Sequence, residues 1–361
     1  MNNIIKQNKG EWSELYVFLK LLGDGVLYAA DSNLNRIDDL YYPLIEILRK
    51  ENEQIKHYKK DNINIKITDD NNNLLLVLPM TEFINKSKLL LDAIKTSDGT
   101  FSVVAIQDFM HKIKCLKVKA DSMDKSDITI VLHDCKTYRN ETFGFSIKSM
   151  LGGSSTLLNA GKSTNFIYEI QGKLSQEQIS RINTIKTKSK IQDRLNSIET
   201  LDCNLVFRGV ENANFNANLQ MIDSLFPLIL SHYLIQYYSG NGKTLRELTP
   251  KIRTINPCKL DTNLPHLYYE HKIKNFLTDV ALGMTPATAW NGTYQATGGY
   301  IIVREDGEVL CYHVYNHNEF QEYLFKNTRF ETASSSRYEF GSIYTENGKN
   351  YIKLNLQIRF T

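Results

Sequence analysis

Proline is scarce, with 7 in 361 residues, which excludes a proline-rich linker protein. Cysteine is scarce as well. The five, Cys115, Cys135, Cys203, Cys258 and Cys311, are odd in number, widely spread and never arranged as CxxC. Neither a disulfide framework nor a cysteine-built zinc centre is expected, and a reducing cytoplasm is the natural compartment. No run of about 18 apolar residues occurs, so no membrane-spanning helix is expected. The start, Met1 to Gln7, lacks the apolar core of a signal peptide. A lopsided charge is missing too: the formal net charge of +3 neither demands nor excludes a nucleic-acid partner, because local clustering matters more than the total. What is present is ordinary globular composition, 42% hydrophobic and 23% charged, which argues against disorder. The length suits two or three domains or one large one.

Residues 9–22 (KGEWSELYVFLKLL) place Leu15, Phe18, Leu19 and Leu22 at helical spacing, and Gly23 and Gly25 end the run. Residues 40–51 are expected to form a second helix. Ile63–Thr68 and Leu74–Leu78 read as short strands joined by a turn that includes Asp69 to Asn72. Residues 101–120 are expected to hold a helix with Lys112, Lys114, Lys117 and Lys119 near its end, most simply a solvated face. Residues 127–133 (DITIVLH) alternate and are β-branched, residues 143–148 read as the returning strand, and residues 165–170 as a third. Residues 173–198 are helical, polar and basic. After about residue 200 come an apolar helix over 219–238 with Pro227 as a kink point, a helix over 272–284, and strands at 299–304, 307–315 and 351–360. The first two of these strands are joined as a hairpin through Glu305-Asp306-Gly307.

If 128–134 and 143–148 form a hairpin, its midpoint falls near residue 138, and antiparallel pairing brings Asp127 beside Lys148. Ser146, two residues earlier, shares the lysine's face. A carboxylate and a lysine at a sheet end suit metal-dependent phosphodiester cleavage: the carboxylate holds Mg²⁺, and the lysine stabilises the attacking hydroxide or the phosphorane. An exposed cross-strand ion pair, worth little energetically, is the competing reading, and the residues alone leave both open.

Two motifs are set aside. Gly240-Asn-Gly-Lys-Thr244 has the end of a phosphate-binding loop, but Tyr237 stands where a glycine is needed and the preceding segment reads as a helix. His313-Val-Tyr-Asn-His317 has two histidines but no accompanying glutamate, and fits a strand running into a loop.

Asp127, a strand, a turn and then Phe145-Ser-Ile-Lys-Ser149 resemble the PD-(D/E)XK nuclease pattern in its SxK variant, with Ser146 in place of the usual middle acid. The resemblance implies a relocated acid. Glu14 is preferred, in a pattern like Gly10-x-x-x-Glu14 on the first helix, then Glu11, then Glu169. The chain is further similar to type II restriction endonucleases of the HpaII family, through KGEWSELY (9–16), GFSIKS (144–149), LLNAGKSTNF (157–166), ALGMTPATAWNG (281–292), ATGGYIIV (296–303) and LNLQIRF (354–360). These segments span essentially the whole chain. The resemblance implies an α/β fold: a PD-(D/E)XK-like core, a mixed sheet flanked by helices, over residues 1–200, with a helical and then strand-rich DNA-gripping part over 201–361. It implies Mg²⁺-dependent cleavage of double-stranded DNA at CCGG, with Asp127, Lys148, Glu14 and Ser146 at the catalytic site and Asp127, Glu14 and Glu11 as metal ligands. It also implies a DNA methyltransferase as functional partner, and the two-fold symmetry of that target makes a homodimer the economical expectation, with a monomer cutting twice as the alternative. The alternative is a non-catalytic, sequence-specific DNA-binding protein that kept the fold and lost its acid at Ser146. A second carboxylate near Asp127 would separate the two.

For DNA contact, guanine is best read by Arg or Lys, and Arg208, Arg253, Arg329 and Arg337 are available by type. Arg337 follows Ser334, Ser335 and Ser336 in a polar loop where hydroxyls and a guanidinium could meet phosphates or bases. Asn159, Lys162, Thr164 and Asn165 follow the catalytic strand in a loop that could approach the backbone. Lys173, Arg181, Lys186, Lys188, Lys190 and Arg194 could add nonspecific phosphate affinity.

Overall fold

The computed structural model describes residues 4–121, 126–135 and 138–361. Helix α1 (Lys9–Asp24) is set by its ends and its buried face. Asn8 and Glu11 form a reciprocal capping box at its start, and Gly25, in the left-handed region at φ 68°, stops it. Its apolar side, including Leu15, Phe18, Leu19 and Leu22, is fully buried.

Strands β1 (Val26–Ala30), β2 (Arg36–Glu51), β3 (Gln54–Asp61), β4 (Asn64–Thr68) and β5 (Leu74–Pro79) follow, then helices α2 (Met80–Thr96) and α3 (Val104–Lys112). β6 (Ile128–Asp134) and β7 (Arg139–Ser149) form the expected hairpin, with Ile128 opposite Phe145 and Asp134 opposite Arg139. Much later in the chain, β8 (Gly299–Val303) and β9 (Val309–His313) return to the same sheet. The order is β1-β9-β8-β7-β6-β2-β3-β4-β5, and β1 also pairs with β2, so six strands close into a ring. β8 runs parallel to β7 and β9 parallel to β1, while the other pairings are antiparallel. The sheet is therefore mixed, and the fold is mixed α/β.

The chain divides into two units, residues 1–155 with 294–323, and residues 156–293 with 324–361. A single boundary at residue 200 does not describe this, because 156–200 group with the later part and 294–323 with the earlier. In the second unit, Asn165–Gln171 lies between Asn204–Val210 and Lys349–Asn355 in one sheet, with Ile343–Glu346 at its edge. The third strand foreseen beside the hairpin thus belongs to another sheet.

Three local expectations are corrected. Residues 40–51 are strand, not helix. The pairing register of β2 slips between Leu44 and Glu46, and a bulge of this kind turns a period-2 burial pattern into spacings that imitate a helix. The helix expected over 101–120 ends at Lys112, and Lys114 takes a positive φ of 60°, so Lys117 and Lys119 lie on irregular chain beyond it. The apolar helix over 219–238 is two helices, Ala213–Ile222 and Phe226–Tyr238, with Pro227 in the first turn of the second, where a missing N–H costs nothing.

Candidate active site

The first unit brings α1, β6 and β7 together at one point. Ser13 Oγ donates to Ser149 Oγ at 2.8 Å, tying α1 to β7 one residue away from both Glu14 and Lys148. Asp127 sits just before β6 and closes the hairpin, its N–H bonding the Phe145 carbonyl at 2.9 Å. Its two carboxylate oxygens have different tasks. Oδ2 accepts from the Ile147 N–H at 2.8 Å and from Ser146 Oγ at 3.1 Å. Oδ1 faces the ammonium of Lys119 at 3.5 Å.

Glu14 arrives at the same ammonium from the helix, with Oε1 3.1 Å from Lys119 Nζ. Its other oxygen is buried and has no hydrogen-bond partner among the described residues. Burial raises the Glu14 carboxyl above the usual glutamate range and the Asp127 charge raises it further, while Lys119 pulls it back down. Lys148 is half-buried, with its ammonium 5.6 Å from the centre of the Tyr300 ring on β8. Burial lowers its pKa, and the charges of Asp127 and Glu14 oppose that. Among the described residues Lys148 makes no ion pair: the ion-pair partner of Asp127 is Lys119, where sequence reasoning placed Lys148.

The site therefore holds Asp127, Ser146, Lys148 and Glu14 together. Glu11 is drawn away from it, because its carboxylate accepts from the Asn8 N–H at 3.0 Å in the capping box of α1. Glu169 lies in the second unit and is paired with Arg208 at 2.8 Å and Lys349 at 3.3 Å. Sequence reasoning missed Lys119 and Tyr300. Lys119 was hidden in a lysine run that looked helical, and the pairing of β8 with β7 spans about half the chain.

The donor set suits a hard divalent cation. Mg²⁺ takes oxygen ligands and is commonly held by one or two carboxylates, with water and substrate phosphate completing the shell. Two carboxylates already converge on one positive charge here, and the partnerless Glu14 oxygen has ligand capacity to spare. Among the described residues no group of three or more His, Cys, Asp or Glu side chains gathers, so among these residues Glu14 and Asp127 are the carboxylates that meet at this point.

The expected DNA-contact residues fall into two sets. Thr164 and Asn165 are fully buried. Asn165 Nδ2 donates to Glu211 at 2.7 Å and to the Tyr338 carbonyl at 2.9 Å, and its Oδ1 accepts from Asn355 at 2.7 Å. Thr164 bonds the Gly161 backbone at both of its polar atoms. They hold the second unit together. Arg194 is buried as well and serves backbone carbonyls, among them Asn183 at 2.8 Å. Asn159 and Lys162 are exposed, with Lys162 paired to Glu339 at 2.5 Å.

Ser335, Ser336 and Arg337 lie on a one-turn helix capped by Ser334, where a loop was expected. Ser336 and Arg337 are exposed. The serines line a groove of about 830 Å³ within the second unit, together with Lys188, Lys190, Lys243 and Arg329. Lys188, Lys190 and Lys243 make no ion pair among the described residues, whereas Arg329 faces Glu331 at 3.3 Å.

The two rejected motifs are explained. Gly240–Thr244 follows a helix, and Thr244 with Glu247 caps the next one. His313 is wholly buried beside Tyr42 and Phe143, and burial pushes its pKa down to about 4, so it is a neutral core residue.

Comparison with known proteins gives a consistent result. The HpaII restriction endonuclease family matches residues 8–360. The type II restriction enzyme HpaII of Haemophilus parainfluenzae is 44% identical over 362 residues, covering all of both chains. No solved structure matches.

Proposed function

Because this chain belongs to the HpaII restriction endonuclease family, and is on that ground a site-specific nuclease, we propose that it makes Mg²⁺-dependent double-strand cuts in DNA at CCGG, through a PD-(D/E)XK-type core built on β6 and β7. The observation that carries the chemistry is the convergence of Glu14 and Asp127 on one cationic point beside Lys148. A carboxylate from α1 supplies what Ser146 lacks, which favours an active enzyme over a DNA-binding remnant.

Glu14 and Asp127 would hold the ion, with Asp127 oriented through Oδ2 so that Oδ1 is presented. Bound Mg²⁺ would supply charge neutralisation at the scissile phosphate and acidify water there. Lys148, half-buried against Tyr300, directs its ammonium toward the negative charge that grows on the attacking oxygen and the phosphoryl oxygens, where low polarity strengthens the interaction. In-line attack at phosphorus leaves a 5′-phosphate and a 3′-hydroxyl. The groove carrying Lys188, Lys190, Lys243 and the Ser335–Ser336 turn supports contact with the DNA backbone, and Arg337 beside it is offered as a base or phosphate contact. A homodimer fits the two-fold symmetry of CCGG. Such an enzyme works in the cytoplasm and requires a methyltransferase that protects the host's own sites.

The test is digestion of plasmid DNA with Mg²⁺ and with EDTA, alongside Lys148→Ala. Discrete Mg²⁺-dependent fragments that map to CCGG, absent in the mutant, are expected. Tight CCGG binding with intact DNA would favour the binding-only reading, and neither binding nor cutting would overturn the proposal.

A further inference from the structure

Lys119 has no task in the cleavage scheme above, yet the fold holds it in place with unusual resources. The segment from Cys115 to Asp121 is coil, and it is stitched to the end of β2. Arg49 and Glu51, both buried, pair at 2.7 Å. Glu51 accepts the Leu116 N–H at 2.7 Å, and Arg49 donates to the carbonyls of Lys117 and Val118. Farther along, the Asp121 N–H bonds the Lys50 carbonyl at 2.9 Å and its carboxylate accepts the Asn52 N–H at 2.8 Å. A lysine on a merely solvated face needs no such anchorage. This one is delivered to Glu14 and Asp127 at 3.1 and 3.5 Å, with half of its side chain still exposed.

We propose that Lys119 is a placeholder cation: it occupies the position between Glu14 and Asp127 and competes there with the divalent ion. The inference rests on the reading that these two carboxylates hold the metal. Two half-buried carboxylates brought together without a cation repel one another and resist ionisation. The ammonium relieves that repulsion in the metal-free enzyme. Its exposed, flexible stem lets it swing into solvent when an ion enters, keeping its proton and its charge. DNA-free enzyme therefore binds metal weakly.

The probe is Mn²⁺ alone, titrated into the full chain without DNA, with free Mn²⁺ read from its electron paramagnetic resonance signal. Lys119→Met is expected to bind about three- to tenfold tighter than the unchanged protein, since it removes two competing ion pairs. Lys119→Gln, which keeps a hydrogen-bonding group between the carboxylates, is expected to shift the same way and serves if Lys119→Met does not fold. Equal or weaker Mn²⁺ affinity in a folded variant overturns the placeholder role. Asp127→Asn separates the two readings. Loss of Mn²⁺ binding there is expected, and unchanged binding would overturn the metal site itself, and the placeholder with it.

Discussion

Ser146 Oγ donates to Asp127 Oδ2 across 3.1 Å. Ser146 therefore supports the carboxylate of Asp127. Ser146→Ala removes one of two donors to that oxygen and leaves the Ile147 N–H at 2.8 Å. Changing a group that orients a ligand typically costs 10–100-fold, and with one donor left a fall of about tenfold in single-turnover cleavage is expected. The melting temperature should stay within about 2 °C, as for a change outside the core. Undiminished cleavage would show that the backbone donor alone suffices.

The pH profile follows from two opposed shifts. In the proposed scheme Glu14 must be ionised to hold a cation, and its pKa is raised, first by burial and then by Asp127. In the same scheme Lys148 must be protonated to donate, and burial lowers its pKa. Cleavage should decline as pH falls through the raised Glu14 value and again as pH rises through the lowered Lys148 value. Arginine does not deprotonate in this range, so the residual activity of Lys148→Arg should lose the alkaline limb. An alkaline limb that persists in that variant would assign it to another group.

Glu14→Gln should trade activity for stability. A carboxyl whose folded pKa is raised binds its proton more tightly in the folded state. Its contribution to stability is complete at low pH and is lost as pH rises through the folded value. At neutral pH the ionised Glu14 is therefore a liability, and glutamine is expected to raise the melting temperature by about 1–3 °C. Cleavage should fall by about 100-fold or more, as for loss of a ligand. Calorimetry and a cleavage assay on the same preparation check both.

Asn165 and Arg337 should respond oppositely. Asn165→Ala removes the hydrogen bonds of a fully buried side chain to Glu211, the Tyr338 carbonyl and Asn355, at a cost of about 2–3 kcal/mol in urea unfolding. Arg337→Ala touches no core and should leave stability unchanged. It should weaken DNA binding, with the salt dependence of log affinity reduced by about one charge if the contact is to phosphate. A shift in sequence preference instead would point to base reading.

The parts of the site that sequence could reveal are those built from neighbours in the chain. Asp127, Ser146 and Lys148 sit on one hairpin, and β-branched alternation with a polar turn is enough to bring them together. Glu14 was reachable because α1 carries helical periodicity and its Asn8–Glu11 cap is local. The family pattern ranked Glu14 above Glu11, and the capping geometry, which uses Glu11 and leaves Glu14 free of it, supplies the physical reason. Lys119 stayed hidden because its position depends on Arg49 and Glu51, some seventy residues earlier, on a strand whose bulge imitated a helix. Asn165 and Thr164 looked suited to DNA because small polar residues in a loop are equally good at both jobs. Their complete burial decides for structure.

The strand β8 pairs with β7 after an excursion of some 150 residues. On a ribosome this sets an order of events. Glu14, Asp127 and Lys148 all emerge early, yet the strand that flanks Lys148, and the ring that it helps to close, are missing until residues near 303 have left the exit tunnel. Non-local pairing of this kind is slow to form and comes late. A nascent or truncated chain that ends before Gly299 would carry Glu14, Asp127 and Lys148 and lack the Tyr300 ring beside Lys148. If these residues form the proposed site, a chain that stops short of β8 is expected not to cut DNA, and activity would wait until nearly the whole polypeptide has been made.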